Sequence, residues 1–118
     1  MIKLGCLLKV SDNTGVSKIR FIGTLRKKKT LTIGDIIIGS IQKTTSSTHK
    51  KSSIVTAILI KTKKPILRPD GSTLRFNDNC ALIVDKTLNP KGTHVFGPIP
   101  YEIKYKYKKV TTLTNNFV

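Results

Sequence analysis

Apolar residues recur at every second position over much of the first half of the chain. In residues 3–10, Leu4, Cys6, Leu8 and Val10 alternate with Lys3, Gly5, Leu7 and Lys9, the period of a half-buried strand. Residues 11–15 predict its turn, with Asp12, Asn13 and Gly15 as the turn-forming residues. A second strand, 16–25, sends Ile19, Phe21 and Leu25 one way and Lys18, Arg20 and Ile22 the other, so the hairpin carries one cationic face. After a basic run and residues 30–34, the turn at Gly34-Asp35 opens a third strand, 35–43. The Ser/Thr-rich run 44–53 has no period and predicts an exposed loop or hairpin extension.

The alternation then gives way to unbroken apolar runs, and the stretch 54–84 organises the rest. Residues 54–60 and 73–76 flank a connection carrying Lys61, Lys63, Lys64 and Arg68, which predicts a hairpin with a cationic tip. Pro69-Asp70-Gly71 supplies its turn. The fixed φ of Pro69 suits the second position, Asp70 can bond nearby backbone, and Gly71 accepts a positive φ. A second turn at 77–79 leads into the buried run 80–84, so the fourth strand is 54–62 and the fifth is built from 73–76 and 80–84. A loop at 85–93 reaches the short apolar pair Val95-Phe96. In 101–109, Tyr101, Ile103, Tyr105 and Tyr107 alternate with Glu102, Lys104, Lys106 and Lys108, yet the same residues also satisfy helical i, i+4 spacing; alternation favours a strand.

Five or six short strands with polar turns predict an all-β fold, a small closed five-stranded barrel with hairpin extensions, since closure removes aggregating edges. At 118 residues the chain is expected to form a single domain, 1–118, with a C-terminal segment of about 98–118.

Charge changes the picture from fold to partner. Twenty-two Lys+Arg against six acids give a formal net charge of +16, a self-repulsion best tolerated when phosphates neutralise it. A membrane fits less well, because no apolar run approaches the roughly 18–20 residues of a spanning helix and the cations follow no amphipathic stripe. The N-terminal residues show neither a signal-peptide pattern nor an Arg/Ser-rich transit peptide, which predicts a product that works where it is made. Lys outnumbers Arg 18 to 4 and Ile is the favoured branched residue, the bias of A/T-rich coding. Together these predict a protein encoded and used inside a mitochondrion or a plastid.

The sequence gives no support to a cofactor or a metal. Cys6 and Cys80 sit singly in apolar runs and read as buried free thiols, and with His49 and His94 they match no zinc-finger spacing. Of the six acids, Asp12, Asp35, Asp70 and Asp78 lie in turn contexts, which leaves Asp85 and Glu102 and no pair suited to acid–base work. With no nucleophile or phosphate-binding motif, the expectation is not an enzyme. A free-standing single-strand-binding barrel of the OB kind is the alternative, but it needs aromatic platforms on its strands. Phe21, Phe76 and Phe96 fall there singly and are expected to face inward, and the three tyrosines cluster near the C-terminus. A secreted heparin-binding protein would need a signal peptide and disulfides.

Lys63-Lys64 with Arg68-Pro69-Asp70-Gly71-Ser72, then Phe76, Asn79 and Ala81, and finally the run Gly92-Thr93-His94-Val95-Phe96-Gly97-Pro98 resemble the signature of the universal large-subunit ribosomal protein family number fourteen. Asp12-Asn13-Thr14-Gly15 is similar to that family's D-N-S-G turn and Gly34-Asp35-Ile36-Ile37 to its G-D-I-I, so the resemblance runs in order over nearly the whole chain. The chain departs from the family at Gly23-Thr24-Leu25, which lacks paired glycines, at Ser52-Ser53 in place of a second G-D, at His94 in place of Arg, and at 111–116 in place of L-A-P-E-V. Such divergence from bacterial and plastid patterns favours an organelle-encoded protein of the mitochondrion, in the matrix, with the plastid as the alternative. The resemblance implies a five-stranded barrel, a short helix after Gly97-Pro98, then a short strand and a terminal helical turn; Pro100 at the helix start is compatible with that, so the barrel is expected to carry a short C-terminal helical segment, with about 98–118 helical or irregular.

It also implies a structural constituent of the large ribosomal subunit. Candidate phosphate contacts to large-subunit rRNA are Arg26, Lys27, Lys28 and Lys29 in the basic loop, Lys50 and Lys51, the tip residues Lys61, Lys63, Lys64 and Arg68, and Arg75 and Lys91. Thr93 and His94 are implied to face the small subunit and its rRNA, where a subunit-joining inhibitor can dock; His offers neither the permanent charge nor the bidentate fork of Arg. Neighbouring large-subunit proteins are further implied partners.

Overall fold

The apolar runs pair largely in sequence order. The computed structural model describes residues 4–24, 32–45, 53–85, 87, 89–92, 94–107, 109 and 117–118. Strands β1 (Leu7–Val10), β2 (Val16–Thr24), β3 (Ile36–Thr44), β4 (Ile54–Lys61) and β7 (Cys80–Val84) form a closed barrel in the order β1-β2-β3-β4-β7, while β5 (Ile66–Leu67) and β6 (Thr73–Leu74) make a separate two-stranded sheet. A short helix, α1 (Tyr101–Lys106), follows. Every barrel pair is antiparallel except β1 with β7, where Lys9 lies opposite Cys80 and Val10 opposite Ala81. That parallel pair closes the barrel and leaves no long edge to recruit another chain.

The two kinds of apolar pattern have two structural causes. Leu8, Val16, Ile19, Phe21, Ile37, Ile41, Val55, Ala57, Ala81 and Ile83 form one buried cluster, the barrel interior. β1, β2 and β3 alternate because they contribute one face to it. β4 and β7 are covered on both faces, with Ile58, Ile60, Cys80, Leu82 and Val84 packing outward against Val95, Ile99 and Ile103. The segment after β7 is thus a lid on the outer face of two strands, which is why those strands read as continuous apolar runs.

Several expectations are corrected. β4 pairs with β7, Ile58 opposite Leu82, and not with 73–76; the small hairpin joins Ile66 to Leu74 and Leu67 to Thr73. The fifth barrel strand is therefore Cys80–Val84 alone. Thr62, buried, turns its hydroxyl to the Lys64 carbonyl at 3.0 Å, and Pro65 has no N–H to continue a ladder, so the chain leaves the barrel there. Leu4 is 72% exposed instead of inward, because the chain turns at Leu4-Gly5, with Gly5 at φ +86°, and β1 begins only at Leu7. The short C-terminal helix expected from the resemblance is present at residues 101–106, where alternation alone favoured a strand; Ile103 is fully buried, and a helix lets that one residue dock while its neighbours face out. Pro100 precedes the first helical residue, with extended backbone at ψ 147°. The expected final turn at 111–116 lies outside the described residues, while Phe117 bridges Ile99 in parallel.

Candidate nucleic-acid interface

The turn predicted at Pro69-Asp70-Gly71 caps the β5–β6 hairpin. Gly71 N–H donates to the Arg68 carbonyl at 3.0 Å, Arg68 N–H to the Ser72 carbonyl at 2.9 Å, and Gly71 sits at φ +88°, a conformation that a Cβ would strain. Asp70 Oδ1 accepts from both the Ser72 amide (2.9 Å) and hydroxyl (2.6 Å). The Ser72 hydroxyl chiefly, then its amide, hold the Asp70 carboxyl below its ordinary value. Lys63, Lys64 and Arg75 stand exposed around this extension, and the Lys63 amide donates to Asn79 Oδ1 at 2.9 Å.

Arg68 behaves differently from its neighbours. Its guanidinium donates Nε to Glu102 Oε1 at 3.0 Å and Nη2 to Glu102 Oε2 at 3.3 Å, a two-pronged grip, and Nη2 also donates to the Val118 carbonyl at 2.7 Å. Its side chain is 21% exposed. Arg68 clasps the small hairpin to α1 and to residues 117–118, which leaves it less open to a phosphate than Lys63 and Lys64. Nothing in the sequence relates Arg68 to Glu102 before the fold is known.

A second node joins the β1–β2 turn to the segment before α1. Asp12, 4% exposed, accepts from the Thr14 amide (3.2 Å) and hydroxyl (2.6 Å) on one oxygen, and from the buried Ile83 amide (3.1 Å) on the other. Asn13 Oδ1 accepts from the His94 amide at 3.2 Å, Asn13 N–H donates to the His94 carbonyl at 3.2 Å, and Phe96 N–H donates to the Ser11 carbonyl at 2.7 Å. The Gly15 carbonyl accepts from the Thr45 amide at 2.8 Å. His94 is exposed and meets Phe96 edge to face, with centroids 5.4 Å apart. Phe96 is itself 53% exposed, so it does not face inward. Lys61 reaches the Phe96 carbonyl at 3.3 Å, which ties it to this segment, and Lys91 is exposed beside it. Arg26, Lys27, Lys28, Lys29, Lys50, Lys51 and Thr93 lie outside the described residues.

Gly34-Asp35 anchors α1 from the other side. The Gly34 amide donates to Leu59 O at 2.7 Å, and its carbonyl accepts from the Tyr107 hydroxyl at 2.6 Å. Asp35, 5% exposed, accepts from the Thr32 amide at 2.7 Å.

The carboxylates are thereby occupied. Asp12, Asp35, Asp70 and Asp85 accept from neighbouring amides and hydroxyls; the Thr87 hydroxyl chiefly, then the Asn89 amide, hold Asp85 below its ordinary value. Asp78 pairs with Lys9 at 3.2 Å and Glu102 with Arg68. Among the described residues no ion pair holds Lys63, Lys64 or Arg75, and no group of three or more His, Cys, Asp and Glu is placed to hold a metal. Among the described residues the acids serve turns or ion pairs of the fold itself, while Lys63, Lys64, Arg75 and Lys91 stand exposed.

The family follows from comparison. The chain belongs to the family described as ribosomal protein L14p/L23e, whose profile matches residues 1–118. It is 48% identical over 105 residues, 86% of each chain, to the large ribosomal subunit protein uL14c of Helicosporidium sp. subsp. Simulium jonesii. It is thus a structural constituent of the large ribosomal subunit, not an enzyme, with rRNA and ribosomal proteins as its partners. The mitochondrial expectation is overturned: the relative is the chloroplast form. Divergence from bacterial and plastid patterns is a poor guide, since the chain keeps 48% identity to a uL14c protein despite it.

Proposed function

We propose that this chain works in the large subunit of a plastid ribosome, where Lys63, Lys64, Arg75 and Lys91 contact rRNA phosphates and let RNA helices pack against a rigid barrel. The basic run Arg26, Lys27, Lys28 and Lys29 and the pair Lys50-Lys51 contribute further phosphate contacts. Thr93 and His94 face the small subunit and its rRNA, and there a subunit-joining inhibitor docks. The observation that carries the reading is the exposed set Lys63, Lys64 and Arg75, which no carboxylate pairs with among the described residues, while Arg68 grips Glu102. The plastid assignment is supported by the uL14c relative.

Salt titration of binding to large-subunit rRNA tests it. If about 6–10 phosphates are contacted, affinity falls by about 10³–10⁵ between about 50 and 200 mM salt through counterion release. Lys63→Ala with Lys64→Ala lowers the log–log slope by about 2. Competition with unrelated RNA, run beside it, separates specific from adhesive binding. A flat salt plot, or an unchanged slope in the double variant, refutes the assignment.

A further inference from the structure

We infer that the outward face of α1 is a stacking surface for unpaired nucleobases of the large-subunit RNA, with Tyr105 as the open platform and Lys104 beside it for the adjoining phosphate. The inference rests on the RNA-binding reading above and adds a mode of contact that phosphate binding does not supply. It starts from the helix's orientation. Ile103 is fully buried against the outer face of β4 and β7, so the opposite side of α1 must face out. Residues four apart share a helix face, which puts Tyr101 and Tyr105 together on that side with Lys104 at its border. Tyr101 is 44% exposed and Tyr105 77%, large apolar rings that burial would ordinarily claim.

The rings are arranged rather than scattered. Tyr101 stacks with Phe117, centroids 6.3 Å apart and planes 24° from parallel. Lys104 Nζ lies 6.0 Å from the Tyr101 centroid and 5.4 Å from that of Phe117. Tyr101 and Phe117 thus form a stacked pair with an ammonium group beside it, and Tyr105 stands exposed four residues on along the same helix face. The helix beneath is fixed by the Arg68–Glu102 grip and by the Tyr107–Gly34 bond, so little ordering is needed on binding.

Charge decides between kinds of partner. The acid on α1, Glu102, is already gripped by Arg68, and the exposed charges left on the helix are Lys104 and Lys106. An apolar protein surface seated here would have to desolvate those ammonium groups without an anion to meet them. A nucleotide offers a π-face for the ring and a phosphate for the cation in one residue.

The test uses the full chain with Tyr105→Ala and Tyr105→Phe, against an unstructured RNA oligonucleotide, a blunt RNA duplex of the same length, and large-subunit RNA. Tyr105→Ala is expected to weaken binding to the oligonucleotide and to large-subunit RNA by about five- to hundredfold. The loss is the same at every salt concentration, because stacking releases no counterions. Duplex binding is unchanged, and Tyr105→Phe binds as wild type. Melting curves of both variants should match wild type, given the exposure of Tyr105. Unchanged RNA affinity in Tyr105→Ala, or an equal loss in Tyr105→Phe, overturns the inference. Unchanged RNA affinity with poorer retention in the large subunit would give the face to a protein neighbour and likewise overturn it. A flat salt plot for the wild type would instead remove the phosphate-binding reading on which it rests.

Discussion

Asp12→Ala should be among the costliest single changes in this chain that leave the barrel interior untouched. The carboxylate accepts one bond from the Ile83 amide and two from Thr14. Alanine leaves the Ile83 N–H buried with no acceptor, a loss of about 1–3 kcal/mol, and removing the two Thr14 bonds adds about 1 kcal/mol more. The expected total, about 3 kcal/mol, is a large share of the roughly 5–15 kcal/mol that holds a domain of this kind together. Urea unfolding should show a lower midpoint with an unchanged slope, since the surface exposed on unfolding is the same. Hydrogen exchange adds a local signature. Protection should fall first at the amides of Ile83, His94 and Phe96, because Asp12 and Asn13 hold β7 and the segment before α1 together. Thr14→Val, which removes one hydroxyl bond, should cost about 1 kcal/mol. A measured loss for Asp12→Ala below about 0.5 kcal/mol, within the range of ordinary surface substitutions, would refute the reasoning.

Gly71→Val should destabilise the fold by about 1 kcal/mol or more, because valine is strained at φ +88°, while Lys63→Ala with Lys64→Ala should leave Tm unchanged; equal losses in the two would contradict the separation between turn and contact residues. The Asp70 carboxyl, depressed chiefly by the Ser72 hydroxyl, supports its turn fully above the unfolded value of 3.8 and loses that support as pH falls through the folded value. Protection of the Ser72 amide, taken relative to its intrinsic exchange rate, should therefore fall in acid and show no such step from about pH 5 to pH 8, where the carboxylate stays ionised.

The strands were legible and one of their partnerships was not. β2, β3, β4 and β7 lie within a residue or so of where apolar periodicity places them, because half-buried and fully buried strands leave different marks on the sequence. Pairing is a different matter. Residues 73–76 and 80–84 both look able to partner β4, and what separates them is which partner covers both faces of Ile58 and Ile60. That depends on Val95, Ile99 and Ile103 arriving from far along the chain. The same residues explain why alternation misread 101–106: Tyr101, Ile103 and Tyr105 alternate correctly for a strand, but with Ile103 alone of the three buried, a helix satisfies the core at that position.

The candidate interface was legible in sign and not in detail, for a reason that lies in the acids rather than the cations. With 22 Lys+Arg to place, sequence can say that most must face a polyanion, but not which few the six acids will claim. Four of those acids serve turns or loops a few residues away, which local sequence foretells for Asp12, Asp35 and Asp70. Among the described residues the ion pairs reach across 69 and 34 residues, Asp78 with Lys9 and Glu102 with Arg68. Arg68 is the instructive loser. It sits in the most diagnostic motif of the chain, beside Lys63 and Lys64, yet its planar fork suits a carboxylate grip that a lysine could not reproduce. The motif therefore carries two functions side by side: lysines presented to solvent, and an arginine whose work is to hold α1, and with it the exposed tyrosines, in fixed relation to them.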